Sequence, residues 1–76
     1  MAHTDTITMI VGNHGEFQTD AAHFDLLMVE YVMGGQGFDS LMREIGELSP
    51  DVDYGDLTTI SECLMVLAEL RGYATN

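Results

Sequence analysis

The chain has no lysine and no tryptophan, and only two arginines, one proline and one cysteine among its 76 residues. The scarcity of cations matters most. Against 13 aspartates and glutamates it leaves a formal charge of −11. Bare nucleic acid and anionic membrane surfaces are therefore disfavoured as direct partners, because both would repel such a domain. The lone cysteine, Cys63, rules out an intramolecular disulfide, so the fold needs no oxidising compartment. No stretch reaches the roughly 18 apolar residues of a membrane span, and the N-terminus lacks the basic start of a secretory signal. A soluble cytoplasmic protein is expected.

The acidity is not that of a disordered tail. Hydrophobic residues make up 46% of the chain and are interleaved with the acids, which is ordinary for a globular protein. A single domain spanning residues 1–76 is expected, and one of this size buries only about 60% of its unfolded surface. At screening lengths of about 8–10 Å, many of the repulsions between its acids persist, so the folded state carries a self-repulsion that a basic partner would relieve. Salt adaptation is a competing source of the same composition.

The hydrophobic pattern predicts an α+β fold: an N-terminal strand or short hairpin followed by three helices. Thr4 to Val11 is rich in β-branched residues and alternates Ile7 and Met9 with threonines, a strand pattern. Gly12-Asn13-His14-Gly15 is turn chemistry, and Glu16 to Thr19 is suited to a return strand. Asp20 is placed to cap a helix from Ala21 to Met33, with Phe24, Leu27, Met28 and Tyr31 as its buried stripe. That helix also carries Leu26, Val29, Val32 and Met33 away from the stripe. A helix apolar nearly all round wants burial on more than one side, so Val29, Val32 and Met33 are expected to form a homodimer or docking face. A second helix, with Phe38, Leu41, Met42, Ile45 and Leu48 at helical spacing, is expected to be capped by Asp39 or Ser40 and stopped at Ser49-Pro50. The last helix is expected from Leu57 or Thr59 to Arg71. Thr59 and Glu62 stand at capping-box spacing and Gly72 at its end. Leu57, Ile60, Leu64 and Leu67 form its stripe, and Arg71 complements the helix dipole. The tail from Tyr73 is expected to be loose.

No chemical motif is complete. Asp51, Asp53 and Glu62 match positions 1, 3 and 12 of a calcium loop, but Gly55 falls one position early and position 5 offers no side-chain oxygen. His3, His14, His23 and Cys63 show none of the short spacings of a zinc motif. No serine or cysteine has a base placed beside it in sequence. No metal, cofactor or catalytic residue is expected, and the chain reads as non-enzymatic.

Gly37-Phe38-Asp39-Ser40-Leu41 resembles the G-x-D-S-L motif of acyl and peptidyl carrier proteins. Strong acidity and the Leu57-Thr58-Thr59-Ile60 segment add to the likeness. The resemblance implies a phosphopantetheine arm on Ser40. Pro50 cuts the following helix short of the carrier length, and a strand-like start replaces the family's first helix.

The acids occur in every segment, most densely at Glu44, Glu47, Asp51, Asp53 and Asp56. A folded face of this kind imitates the charge of a nucleic-acid backbone and suits a groove lined by Lys and Arg. In size and charge alone the chain resembles the small acidic phage anti-defence proteins, including the anti-CRISPR proteins. That resemblance implies an inhibitor acting in the host cytoplasm by protein–protein interaction: it would bind a basic, nucleic-acid-binding protein such as a CRISPR effector and deny it DNA or RNA. An acidic antitoxin or adaptor subunit is the related alternative.

Overall fold

The computed structural model describes residues 5–12, 14–50 and 57–74. Strands β1 (Thr6–Ile10) and β2 (Glu16–Asp20) form an antiparallel hairpin, paired from Thr6 opposite Asp20 to Ile10 opposite Glu16. Alternation along β1 half-buries Ile7 and Met9 and leaves Thr6, Thr8 and Ile10 exposed. A two-stranded hairpin is marginal by itself, and here it packs on helices. Three helices follow, so the fold is the expected α+β arrangement with the hairpin complete.

Asp20 ends β2 and caps α1 (Ala21–Met28), its carboxylate accepting from the Ala22 N–H at 2.8 Å. The helix does not stop at Met28. It runs on into a π-helical turn, Val29–Met33, in which the Gly34 N–H reaches the Val29 carbonyl (3.0 Å) and the Gln36 N–H reaches that of Tyr31 (3.1 Å). Such wider turns are rare and usually single. Gly34 belongs to it for a steric reason, since a Cβ there would overlap the Glu30 carbonyl oxygen. Phe24, Leu27 and Tyr31 are buried as the stripe requires, while Met28 is half-buried.

Helix α2 (Gly37–Leu48) begins earlier than the sequence suggested. Neither Asp39 nor Ser40 caps it; Gln36 precedes it without a side-chain cap, and Asp39 lies inside the first turn. A carboxylate there still complements the helix dipole. Helix α3 (Ile60–Leu70) starts with the expected capping box: the Glu62 N–H donates to Thr59 Oγ1 (3.1 Å), and the Glu62 carboxylate accepts from the Thr59 N–H (3.0 Å). Leu57 is buried just ahead of the helix, not within it.

The Glu62 carboxyl sits below its ordinary value of 4.5, chiefly through the Thr58 N–H, with the hydroxyls of Thr58 and Thr59 and the Thr59 N–H adding to it against a desolvation that raises it. A folded-state value below the unfolded one stabilises the fold above the unfolded value and is lost as pH falls through the folded one. Urea midpoints of the wild type and Glu62→Gln should therefore differ at neutral pH and converge on acidification below about 4.5. A gap independent of pH would show that the charge of Glu62 is not what the cap uses.

Every residue from Cys63 to Ala68 is buried, so α3 is enclosed on all sides by β2, α1 and α2. The four-residue stripe read from periodicity understates it: Cys63, Met65, Val66 and Ala68 are core as well, and Ile60 is only half-buried. At its end Gly72 takes φ +84. The Gly72 N–H donates to Glu69 O (3.0 Å) and the Tyr73 N–H to Ala68 O (2.8 Å), a Schellman closure. Of the tail expected to be loose, Tyr73 and Ala74 are held in place, and residues 75–76 lie outside the described residues. Thr19 Oγ1 donates to the Tyr73 carbonyl at 2.9 Å, Ala74 bridges to Thr19, and the Tyr73 ring stacks on His23 at 4.3 Å. Thr19 is buried and so needs this partner.

Candidate functional site

Between the π-helical turn, α2 and the end of α3 lies an open groove of about 530 Å³. Both of the chain's cations, Arg43 and Arg71, line it, together with Tyr31, Ser40, Glu44 and Glu47. Its position follows from the elements around it. The π-helical turn presents Glu30 and Tyr31, one face of α2 presents Ser40, Arg43, Glu44 and Glu47, and the C-cap of α3 supplies Arg71.

Three of these side chains form one network. The buried Tyr31 hydroxyl donates to Glu44 Oε1, Arg71 Nε donates to Glu44 Oε2 (3.0 Å), and Arg71 Nη2 donates to the Tyr31 oxygen (2.7 Å) and to Glu44 Oε2. Glu30 approaches the same guanidinium at 3.7 Å, and the guanidinium lies 5.7 Å from the Tyr31 ring centre. Burial alone would lower the Arg71 pKa; the Glu44 hydrogen bond and the charges of Glu44 and Glu30 outweigh it and hold Arg71 above its ordinary value. Arg71 and Glu44 are each about one-quarter exposed. The network ties α1, α2 and α3 together at the groove floor.

Of the expected acidic set, Glu44 is therefore committed to the Arg71–Tyr31 network, whereas Glu47 is exposed on the groove wall. Asp51, Asp53 and Asp56 lie outside the described residues. Arg43 is exposed and has no ion pair among the described residues. Leu26, Val29 and Met33 are 65%, 60% and 80% exposed, with Val32 at 36%. Val29, Val32 and Met33 thus stand open on α1 and its π-helical extension.

Ser40 has no hydrogen-bonded base among the described residues. The Cys63 thiol is pushed up to about 11, first by burial and then by the charge of Glu62, and it packs against Met42 Sδ at 3.6 Å. A thiol so held is a core group and a poor nucleophile. Glu62, the last ligand of the supposed calcium loop, is taken up by the α3 cap, while Asp51 and Asp53 lie outside the described residues. Among the described residues no three His, Cys, Asp or Glu side chains converge, and no described helix is long and apolar enough to cross a membrane.

Periodicity placed Tyr31 in the core, Glu44 on an acidic face and Arg71 at a helix end, but not in contact. One signal was available: a buried tyrosine needs a partner for its hydroxyl, and with only two arginines in the chain the choice was narrow. Comparison with known proteins finds no matching family, no related curated protein and no matching solved structure.

Proposed function

We propose that the protein is a non-enzymatic acidic inhibitor that binds a basic, nucleic-acid-binding protein, in the manner of a CRISPR-effector inhibitor, and blocks access of DNA or RNA to it. One observation carries this reading. Among the described residues Arg71 and Glu44 are taken up by one network, no carboxylate is buried, and Arg43 is the one arginine left outside it. The outward field is thus almost wholly negative, and it is carried on a folded body. Such a field steers a basic groove toward the protein and competes with a phosphate backbone for it. Glu47, with Asp51, Asp53 and Asp56, supplies the charged contact. The exposed Val29, Val32 and Met33 supply apolar area of the kind that interface cores use.

The test is competition. A CRISPR effector that the protein inhibits should be released from it by excess duplex DNA or guide RNA. Its affinity should also fall steeply as salt rises from about 0.05 to 0.5 M, where the screening length drops to a few ångströms. Binding that is indifferent to both nucleic acid and salt would remove the mimicry reading and leave contact through the apolar helix face.

A further inference from the structure

The outer side of α1 carries a straight apolar line. Leu26, Val29 and Met33 stand at i, i+3 and i+7 and are exposed, and Ala22 continues the line one turn toward the N-terminus. Single apolar side chains on a surface are ordinary, but a run of them along one helix face marks a contact. A carboxylate stands on each margin. Asp25 lies four positions before Val29 and Glu30 four after Leu26, so each is a surface neighbour of the stripe. At about 100° per residue the two fall on opposite sides of it. Asp25 makes no ion pair among the described residues. Glu30 approaches Arg71 only to 3.7 Å, keeps half its side chain exposed, and lines the groove whose α2 wall bears the exposed Glu47.

We propose that this stripe seats an amphipathic helix of the basic partner. The partner's apolar side chains lie on Leu26, Val29 and Met33, and its Lys or Arg residues face Asp25 on one margin and Glu30 on the other. The proposal rests on the reading of a basic partner given above and adds which part of that partner is gripped. The kind of occupant follows from what the face offers. The backbone of α1 and its π-helical turn is bonded within the helix, so side chains alone are available and an added strand would find nothing to pair with. A docked helix uses anchors at i, i+3 and i+7, the spacing present here. Met33, at the exposed end, adapts to the shape of what it meets.

Charge separates the candidates. A second copy would bring its own Asp25 and Glu30 against the same margins, on a chain of −11. An anionic membrane surface would meet the same carboxylates. A helix with cations on both sides of its apolar face meets two carboxylates that nothing inside the molecule neutralises, since Arg71, behind Glu30, is already held by Glu44. The stripe is short, so the contact is weak by itself, and the wider acidic field adds the long-range attraction.

A synthetic peptide of about 14 residues with blocked ends is about 21 Å long as a helix, enough to cover the stripe. One built from leucine and lysine, with its leucines on one helical face, should bind the wild type with micromolar affinity by fluorescence anisotropy. A peptide of the same composition with its leucines scattered around the helix should bind at least about tenfold more weakly, because it brings the charge without the apolar face. Leu26→Ser combined with Met33→Ser should weaken the patterned peptide by a similar factor at an unchanged melting temperature, both side chains being exposed. Asp25→Asn combined with Glu30→Gln should weaken it several-fold at low salt and not at about 0.5 M, where the margins are screened. Absence of binding, equal binding of the two peptides, or a double-serine variant that binds like the wild type would overturn the proposal. So would a wild-type dimer in sedimentation that the two serines dissociate. An effector still inhibited by the double-serine variant sinks this proposal alone, whereas peptide docking with no effector inhibited sinks the inhibitor reading alone.

Discussion

Replacing Leu64 by alanine is expected to remove about 2–5 kcal/mol of unfolding free energy. Leu64 is fully buried at the middle of α3, the helix enclosed by all the other layers. Collapse around the missing atoms is hindered because the core it belongs to, with Leu27, Leu41, Ile45 and Leu67, is itself fully buried. At about 0.05–0.15 kcal/mol per residue, these 76 residues hold only about 4–11 kcal/mol in total. The variant should therefore lose roughly a fifth or more of its stability. With about 4–8 °C of melting temperature per kcal/mol at this size, a thermal melt should fall by at least about 8 °C. Met33→Ala, on the exposed face, should stay within about 0.5 kcal/mol of wild type. A Leu64→Ala loss below about 1 kcal/mol would mean that α3 is not the centre of the core.

The second large effect separates acids that bind from acids that build. Neutralising Glu47, Asp51, Asp53 and Asp56 together to their amides should abolish inhibition of a basic nucleic-acid-binding partner. The melting temperature should hold or rise slightly as self-repulsion falls. Each single change should cost the complex little, because exposed charges are individually worth about 0–1 kcal/mol. Glu44→Gln should behave in the opposite way. It weakens the link among Tyr31, Arg71 and α2, and should lower stability by about 1–2 kcal/mol once partial exposure is allowed for. If the fourfold variant still inhibits while Val29→Asp and Met33→Asp do not, the acids serve only solvation.

Local rules made much of this fold legible. The Asp20 cap, the Thr59–Glu62 box and the Gly72 closure each depend on a few neighbouring residues, and all three form as expected. Alternation at Ile7 and Met9 likewise placed the hairpin. What periodicity could not supply was the ranking of helices. α1 and α3 are both apolar nearly all round, and only the packing shows that the molecule encloses α3 and leaves Leu26, Val29 and Met33 of the other exposed. The expected cap at Asp39 or Ser40 failed because α2 begins at Gly37. The Tyr31–Glu44–Arg71 network joins residues 13, 27 and 40 positions apart, beyond any local pattern. Of the candidate site, the acidic character was readable; the pairing of Glu44 with Arg71 and Tyr31 was not.

The enclosure of α3 also sets an order of events during synthesis. Every other described element precedes it in the chain, and β2, α1 and α2 pack directly on it. At about 5–20 residues per second, β1 and β2 leave the ribosome a few seconds before α3 exists to receive them. For that interval the nascent chain has a hairpin edge and an apolar helix exposed, and no core. The acids precede α3 as well as follow the hairpin, so a charge of one sign and its repulsion between copies are present over that interval too.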